Sequence, residues 1–166
     1  MSSFKRRNLL LSLAALPLAG CGFQPIYGEN AAASGLRGRL GFNLIESPEG
    51  FLLRDVLERR YGDAGAGAEF LVEIELDIEE SDLVLVATTG LTRVTVNGEA
   101  RVTVKRRGDD APVLFRDRLR ETVGYSSGPE TLVTKAARRD ARERLARALA
   151  ERIALRLGAS AGDWAQ

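Results

Sequence analysis

Phe70-Leu71-Val72-Glu73-Ile74-Glu75-Leu76-Asp77-Ile78-Glu79 decides how this chain folds. Phe70, Val72, Ile74, Leu76 and Ile78 are apolar, and Glu73, Glu75, Asp77 and Glu79 stand between them. A period of two makes this a long strand with one buried face and one acidic, wet face. Toward the C-terminus, Asp82 to Leu91 reads as an apolar, Thr-rich connection. Val94, Val96, Ala100, Val102 and Val104 then alternate again, opposite Arg93, Thr95, Asn97, Arg101, Thr103 and Lys105. Gly108-Asp109-Asp110 turns the chain into a fourth strand built on Val113, Phe115, Leu119, Val123 and Tyr125. Asp117 and Glu121 interrupt its apolar side, so part of it is expected to run past the core.

The flanks supply the helices. Ser47-Pro48-Glu49 is a helix start: a side-chain oxygen for free amide groups, a proline at the first helical position, and an acid at the positive end of the dipole. Leu52, Leu53, Val56, Leu57 and Tyr61 follow at helical spacing until Gly62. Before this helix, Leu36 to Ile45 reads as a first strand with Leu40, Phe42 and Leu44 on one side. At the other end, Ser127-Gly128-Pro129-Glu130 has capping-box spacing. Leu132, Ala136, Ala141, Leu145, Ala148, Leu149, Ile153 and Leu157 keep a period near 3.6 until Gly158. The expected fold is α+β: a two-layer sandwich, a four-stranded mostly antiparallel sheet with two helices on one face, in the order β-α-β-β-β-α. Val72, Ile74, Val102, Val104, Leu145 and Leu149 are expected to share its core.

The 166 residues suit one domain, and 45% hydrophobic with 28% charged residues reads as globular, not disordered or membrane-spanning. Histidine is absent and Cys21 is the one cysteine. That excludes Ser-His-Asp and Cys-His catalysis, zinc held by Cys and His, and an internal disulfide. No metal or cofactor is expected.

Lys5-Arg6-Arg7, the apolar run Asn8 to Leu18, and Leu18-Ala19-Gly20-Cys21 have the layout of a secretory signal ending at a lipidated cysteine. The reading is residues 1–20 as lipoprotein signal peptide, 21–35 as lipidated tether, 36–158 as the domain and 159–166 as a flexible tail. Lipidation falls on Cys21. Arg6-Arg7 leaves the export route open between the general and the twin-arginine pathway. Gly22 after the cysteine, in place of Asp, favours sorting to the outer membrane. Of the 24 basic residues, Lys5, Arg6 and Arg7 leave with the signal, so the mature chain has 21 against 23 acids, a net charge of about −2. That balance argues against a nucleic-acid partner.

Charge is sorted along the chain. Acids alone occupy Glu69 to Thr92, bases dominate Arg93 to Arg107, and Arg116, Arg118 and Arg120 line one face of the fourth strand. The last helix carries Lys135, Arg138, Arg139, Arg142, Arg144, Arg147, Arg152 and Arg156. Cross-strand pairing and a solvated helix face explain most of this. The alternative is a basic surface for phosphates, which arginine forks bind bidentately.

Cys21-Gly22-Phe23-Gln24-Pro25-Ile26-Tyr27-Gly28 resembles the mature start of the lipopolysaccharide-assembly lipoprotein family, LptE, in its alphaproteobacterial form. Leu52-Leu53-Arg54-Asp55-Val56-Leu57 resembles that family's first helix. Thr92-Arg93 and the alternation to Ala100 resemble its middle strand. Ala136-Ala137-Arg138-Arg139-Asp140-Ala141, with Leu145, Leu149-Ala150 and Ile153, resembles its last helix. Arg116 to Tyr125 departs from the pattern. The resemblance implies a non-enzymatic, lipid-anchored protein of the outer membrane, on the periplasmic side or inside a barrel lumen. Its implied partners are a β-barrel translocon of the LptD type and lipopolysaccharide. On that reading the apolar loop offers Leu83, Val84, Leu85, Val86 and Leu91 to the barrel wall. Arg93, Lys105 and Arg116, expected near the same end, are the phosphate contacts. Two other classes compete. One is a free periplasmic, lipid-anchored binding module for another anionic or apolar ligand. The other is a glycan-cleaving enzyme using a carboxylate pair such as Asp117 and Glu121.

Overall fold

The computed structural model describes residues 34–83, 92–108, 111–127 and 131–165. The elements are β1 (Leu40–Phe42), α1 (Pro48–Tyr61), β2 (Phe70–Leu83), β3 (Thr92–Arg106), β4 (Val113–Ser127) and α2 (Thr131–Trp164). The sheet order is β1-β2-β3-β4. β1 runs parallel to β2, and the other two pairings are antiparallel. This is the expected α+β sandwich in the expected order. Among the described residues no helix is long and apolar enough to cross a membrane.

α1 begins as its sequence requires. Ser47 Oγ accepts a hydrogen bond from the Gly50 N–H at 2.9 Å, and Pro48 occupies the first helical position. Gly62 ends the helix at φ 76°, a backbone region that side chains oppose. Leu53, Leu57 and Tyr61 are buried, and the Tyr61 hydroxyl donates to the Ala154 carbonyl of α2 at 2.6 Å. This hydrogen bond ties the two helices at the level of the core.

All six residues expected to share a core do so, together with Phe70, Val96, Ala100, Ile153 and Leu157. α2 packs tightly on the sheet at Gly98. A Cβ there would stand 2.9 Å from both Leu145 Cδ2 and Leu149 Cδ1, so the missing side chain is what lets those leucines seat.

Several boundaries differ from expectation. β1 has only three residues, because Asn43 takes over from the parallel ladder. Its side chain donates to the Ile74 carbonyl at 3.1 Å and accepts from the Ile74 N–H at 2.8 Å. Leu44, assigned to that strand's apolar side, is 53% exposed. The connection expected from Asp82 is shorter, since Asp82 pairs with Val94 and Leu83 with Arg93 in the ladder. Gly128, Pro129 and Glu130 of the capping box lie outside the described residues. Leu132, placed on the buried stripe of α2, is 81% exposed, and burial begins in earnest at Ala141.

The flexible tail is also corrected. α2 continues through Gly158 to Trp164, whose ring meets Phe70 edge-on at 5.3 Å and Phe115 at 6.4 Å. Trp164 Nε1 donates to Ser160 Oγ at 2.9 Å, and that hydroxyl donates to the Arg156 carbonyl. Gly158 and Gly162 each cost the helix about 1 kcal/mol, and the packing of a buried tryptophan outweighs them.

Candidate functional site

The sheet face away from the helices bears the sorted charges. Glu73 pairs with Lys105 at 2.8 Å and Glu75 with Arg101 at 3.2 Å, the cross-strand pairing that the sequence suggests. Glu99 of β3 collects three arginines: Arg101 at 3.1 Å, Arg118 at 3.3 Å and Arg120 at 2.8 Å. Partial burial pushes its carboxyl up, but the hydrogen bond from Arg120 and the charges of Arg118, Arg120 and Arg101 outweigh this. It is held below the usual glutamate range. Two of the three arginines in the β4 row therefore serve an acid of their own sheet.

Arg93, Lys105 and Arg116 do not form the cluster expected of them. All three sit on the open face. Arg93 and Lys105 lie near opposite ends of β3, twelve residues apart, or roughly 40 Å at the usual strand rise. Arg116 pairs in register with Thr103, so it belongs to the Lys105 end. Arg93 lies over Gly124, where a Cβ would be 3.0 Å from its Nη2. The separation was already legible in the sequence, since Arg93 and Lys105 stand twelve residues apart on one alternating run. Of the expected partner contacts, Val84, Leu85, Val86 and Leu91 lie outside the described residues, and Leu83 is the last residue of β2. Cys21 also lies outside them.

Asp117 and Glu121 do not run past the core. They face α2, where Arg156 Nε donates to Asp117 at 2.5 Å and Arg152 Nη1 to Glu121 at 2.5 Å. Burial pushes the Asp117 carboxyl up, but hydrogen bonds from Arg156 and the Arg118 N–H outweigh it and hold it below its ordinary range. Each carboxylate has its own guanidinium, which fits a charged seam between strand and helix.

The basic row of the last helix, read from the sequence as a solvated face or a phosphate surface, belongs to a second charged region whose other wall the sequence did not show. A cleft of about 700 Å³ opens between the start of α1 and the first half of α2. Pro48, Glu49 and Leu52 line one side, and Lys135, Arg138, Arg139, Arg142 and Glu143 the other. Arg142 bridges Glu49 at 2.5 Å and Glu80 at 2.8 Å, and Arg138 reaches Glu80 at 2.9 Å. Burial pushes the Glu80 carboxyl up, yet the hydrogen bonds from Arg138 and Arg142 prevail and lower it. The signal in the sequence was spacing: residues 135, 138, 139 and 142 fall on one helix face. Their target could not be seen, since α1 is about 80 residues earlier in the chain.

Fold and surface together define a small two-layer α+β sandwich with a charged open sheet and a cation-rimmed cleft between its helices. No family model matches the chain, and no curated protein matches it by sequence. Among solved structures it is similar to a candidate lipoprotein from Caulobacter crescentus CB15. Identity is 19%, the match covers 79% of this chain and 96% of that one, and the TM-score is 0.59. It is also similar to a minor lipoprotein from Acinetobacter baumannii, with 13% identity, 73% and 89% coverage, and a TM-score of 0.52. At such identities the likeness is one of fold.

Proposed function

We propose that this chain is a lipid-anchored, non-catalytic protein of the outer membrane that partners a β-barrel translocon and assists assembly of lipopolysaccharide at the cell surface, binding the glycolipid itself. The observation that carries this is the run Cys21-Gly22-Phe23-Gln24-Pro25-Ile26-Tyr27-Gly28, placed directly after a lipoprotein-type signal. A sandwich shared with proteins described as lipoproteins supports the reading. The competing enzyme has little to work with: histidine is absent, and Asp117 and Glu121 are engaged by Arg156 and Arg152.

The test is purification of the tagged full chain from its native membrane in mild detergent. A barrel protein recovered in stoichiometric amount, with lipopolysaccharide bound, is the expected result. Fully lipidated protein recovered without any barrel would overturn the translocon reading and leave the lipid-anchored binding module.

A further inference from the structure

The cleft between α1 and α2 has a composition that ordinary surface solvation does not require. Lys135, Arg138, Arg139 and Arg142 stand at i, i+3, i+4 and i+7, so like charges are neighbours on one helix face, an arrangement that by itself opposes the helix. Two of the four are matched by acids, and one of these pairs, Arg142 with Glu49, spans the cleft. Arg142 is held by Glu49 and Glu80, and Arg138 by Glu80. The outer two are engaged less. Arg139 reaches only its neighbour Glu143, one turn along the helix, and its side chain is 84% exposed. Lys135 makes no ion pair among the described residues. The positive end of α1 adds to the same field, because Pro48 and Glu49 are its first two residues.

Besides the carboxylates of Glu49 and Glu143, which are paired with Arg142 and Arg139, the walls offer apolar surface. Pro48 and Leu52 line the α1 side, and the arginine stems line the other. Phe51, on the next position of α1, is 55% exposed. The volume of about 700 Å³ falls within the roughly 300–1,000 Å³ of small-molecule sites. A free inorganic anion would use the cations and leave the apolar wall wet. A neutral detergent would do the reverse. The occupant that uses both is a phosphorylated amphiphile.

We infer that this cleft binds one molecule of an amphiphile with a phosphate head, the phosphate between Lys135 and Arg139 and the start of its acyl chain on Pro48 and Leu52. Arg142 holds the two walls together through Glu49, Arg138 and Arg142 tie α2 to β2 through Glu80, and both are positioning residues. The inference gives the glycolipid reading a place and rests on it for the identity of the natural lipid, though not for the chemistry of the cleft.

The experiment is amide-resolved NMR titration of the full chain, produced with Cys21→Ser, by dodecyl phosphate below its micelle concentration. Inorganic phosphate and dodecyl maltoside serve as separate arms. Shifts centred on Glu49, Leu52, Lys135 and Arg139 are expected with dodecyl phosphate, with each control binding at least tenfold more weakly. Lys135→Ala with Arg139→Ala should weaken dodecyl phosphate binding at least tenfold, and both side chains are exposed enough for the fold to persist. Shifts elsewhere, or equal binding by any control arm or by the double variant, would overturn the inference. Lipopolysaccharide binding to wild type and to the double variant separates the two readings. Equal binding to both defeats the cleft and leaves the glycolipid reading. Dodecyl phosphate binding without lipopolysaccharide binding keeps the cleft and defeats the glycolipid reading.

Discussion

Trp164 packs the end of α2 onto the sheet. It stacks edge-on against Phe70, the first residue of the long acidic strand, and approaches Phe115 at the start of the edge strand. Its indole N–H is satisfied by Ser160, so its burial leaves no polar group without a partner. Replacing it with alanine removes a large buried aromatic and should cost about 3–5 kcal/mol. Urea denaturation of Trp164→Ala against wild type measures this, and an unchanged midpoint would return residues 159–166 to a loose tail.

At the scale of elements, α2 is joined to the rest by its charged flank as well as its apolar stripe. Arg152 and Arg156 reach Glu121 and Asp117 of β4, and Arg138 and Arg142 reach Glu80 of β2. The carboxyls of Glu80 and Asp117 are both held below their ordinary values. A depressed folded value means that the contribution to stability is complete above the ordinary value, 4.5 for glutamate, and is lost as pH falls through the depressed one. Stability should therefore be insensitive to these groups between about pH 7 and pH 5 and decline in stronger acid. Glu80→Gln should be less stable than wild type at neutral pH, and the gap should close toward about pH 3. Denaturant midpoints across that range decide it. A constant gap would mean that Glu80 acts through packing, not charge.

At the scale of the whole molecule, no helix among the described residues is long and apolar enough to cross a membrane, and the function proposed above assigns attachment to lipid on Cys21. Two or more acyl chains anchor firmly, while one binds marginally. Cys21→Ser removes the thiol that accepts the lipid and should release the protein from the membrane fraction. Mass spectrometry of the wild-type amino terminus gives the direct reading, and an unmodified Cys21 would rule out the anchor.

The amino-acid sequence alone determined the order of elements, the inward face of β2 and β3, and the start and end of α1. Each rests on local periodicity or a local cap, and neighbours within a few residues suffice to express it. The core could be read for the same reason, since Val72, Ile74, Val102, Val104, Leu145 and Leu149 each lie on an unbroken apolar face. Tertiary structure decided what depends on distant partners. Gly158 looked like a helix end until Phe70 and Phe115 gave Trp164 a place to pack. Asp117 and Glu121 looked like an overhang until α2 supplied their arginines. The cation row of α2 looked like a solvated face until α1 brought Glu49 and Leu52 opposite it. A charge in a sequence has a sign and a spacing, but its partner is chosen by contacts between residues far apart in the chain.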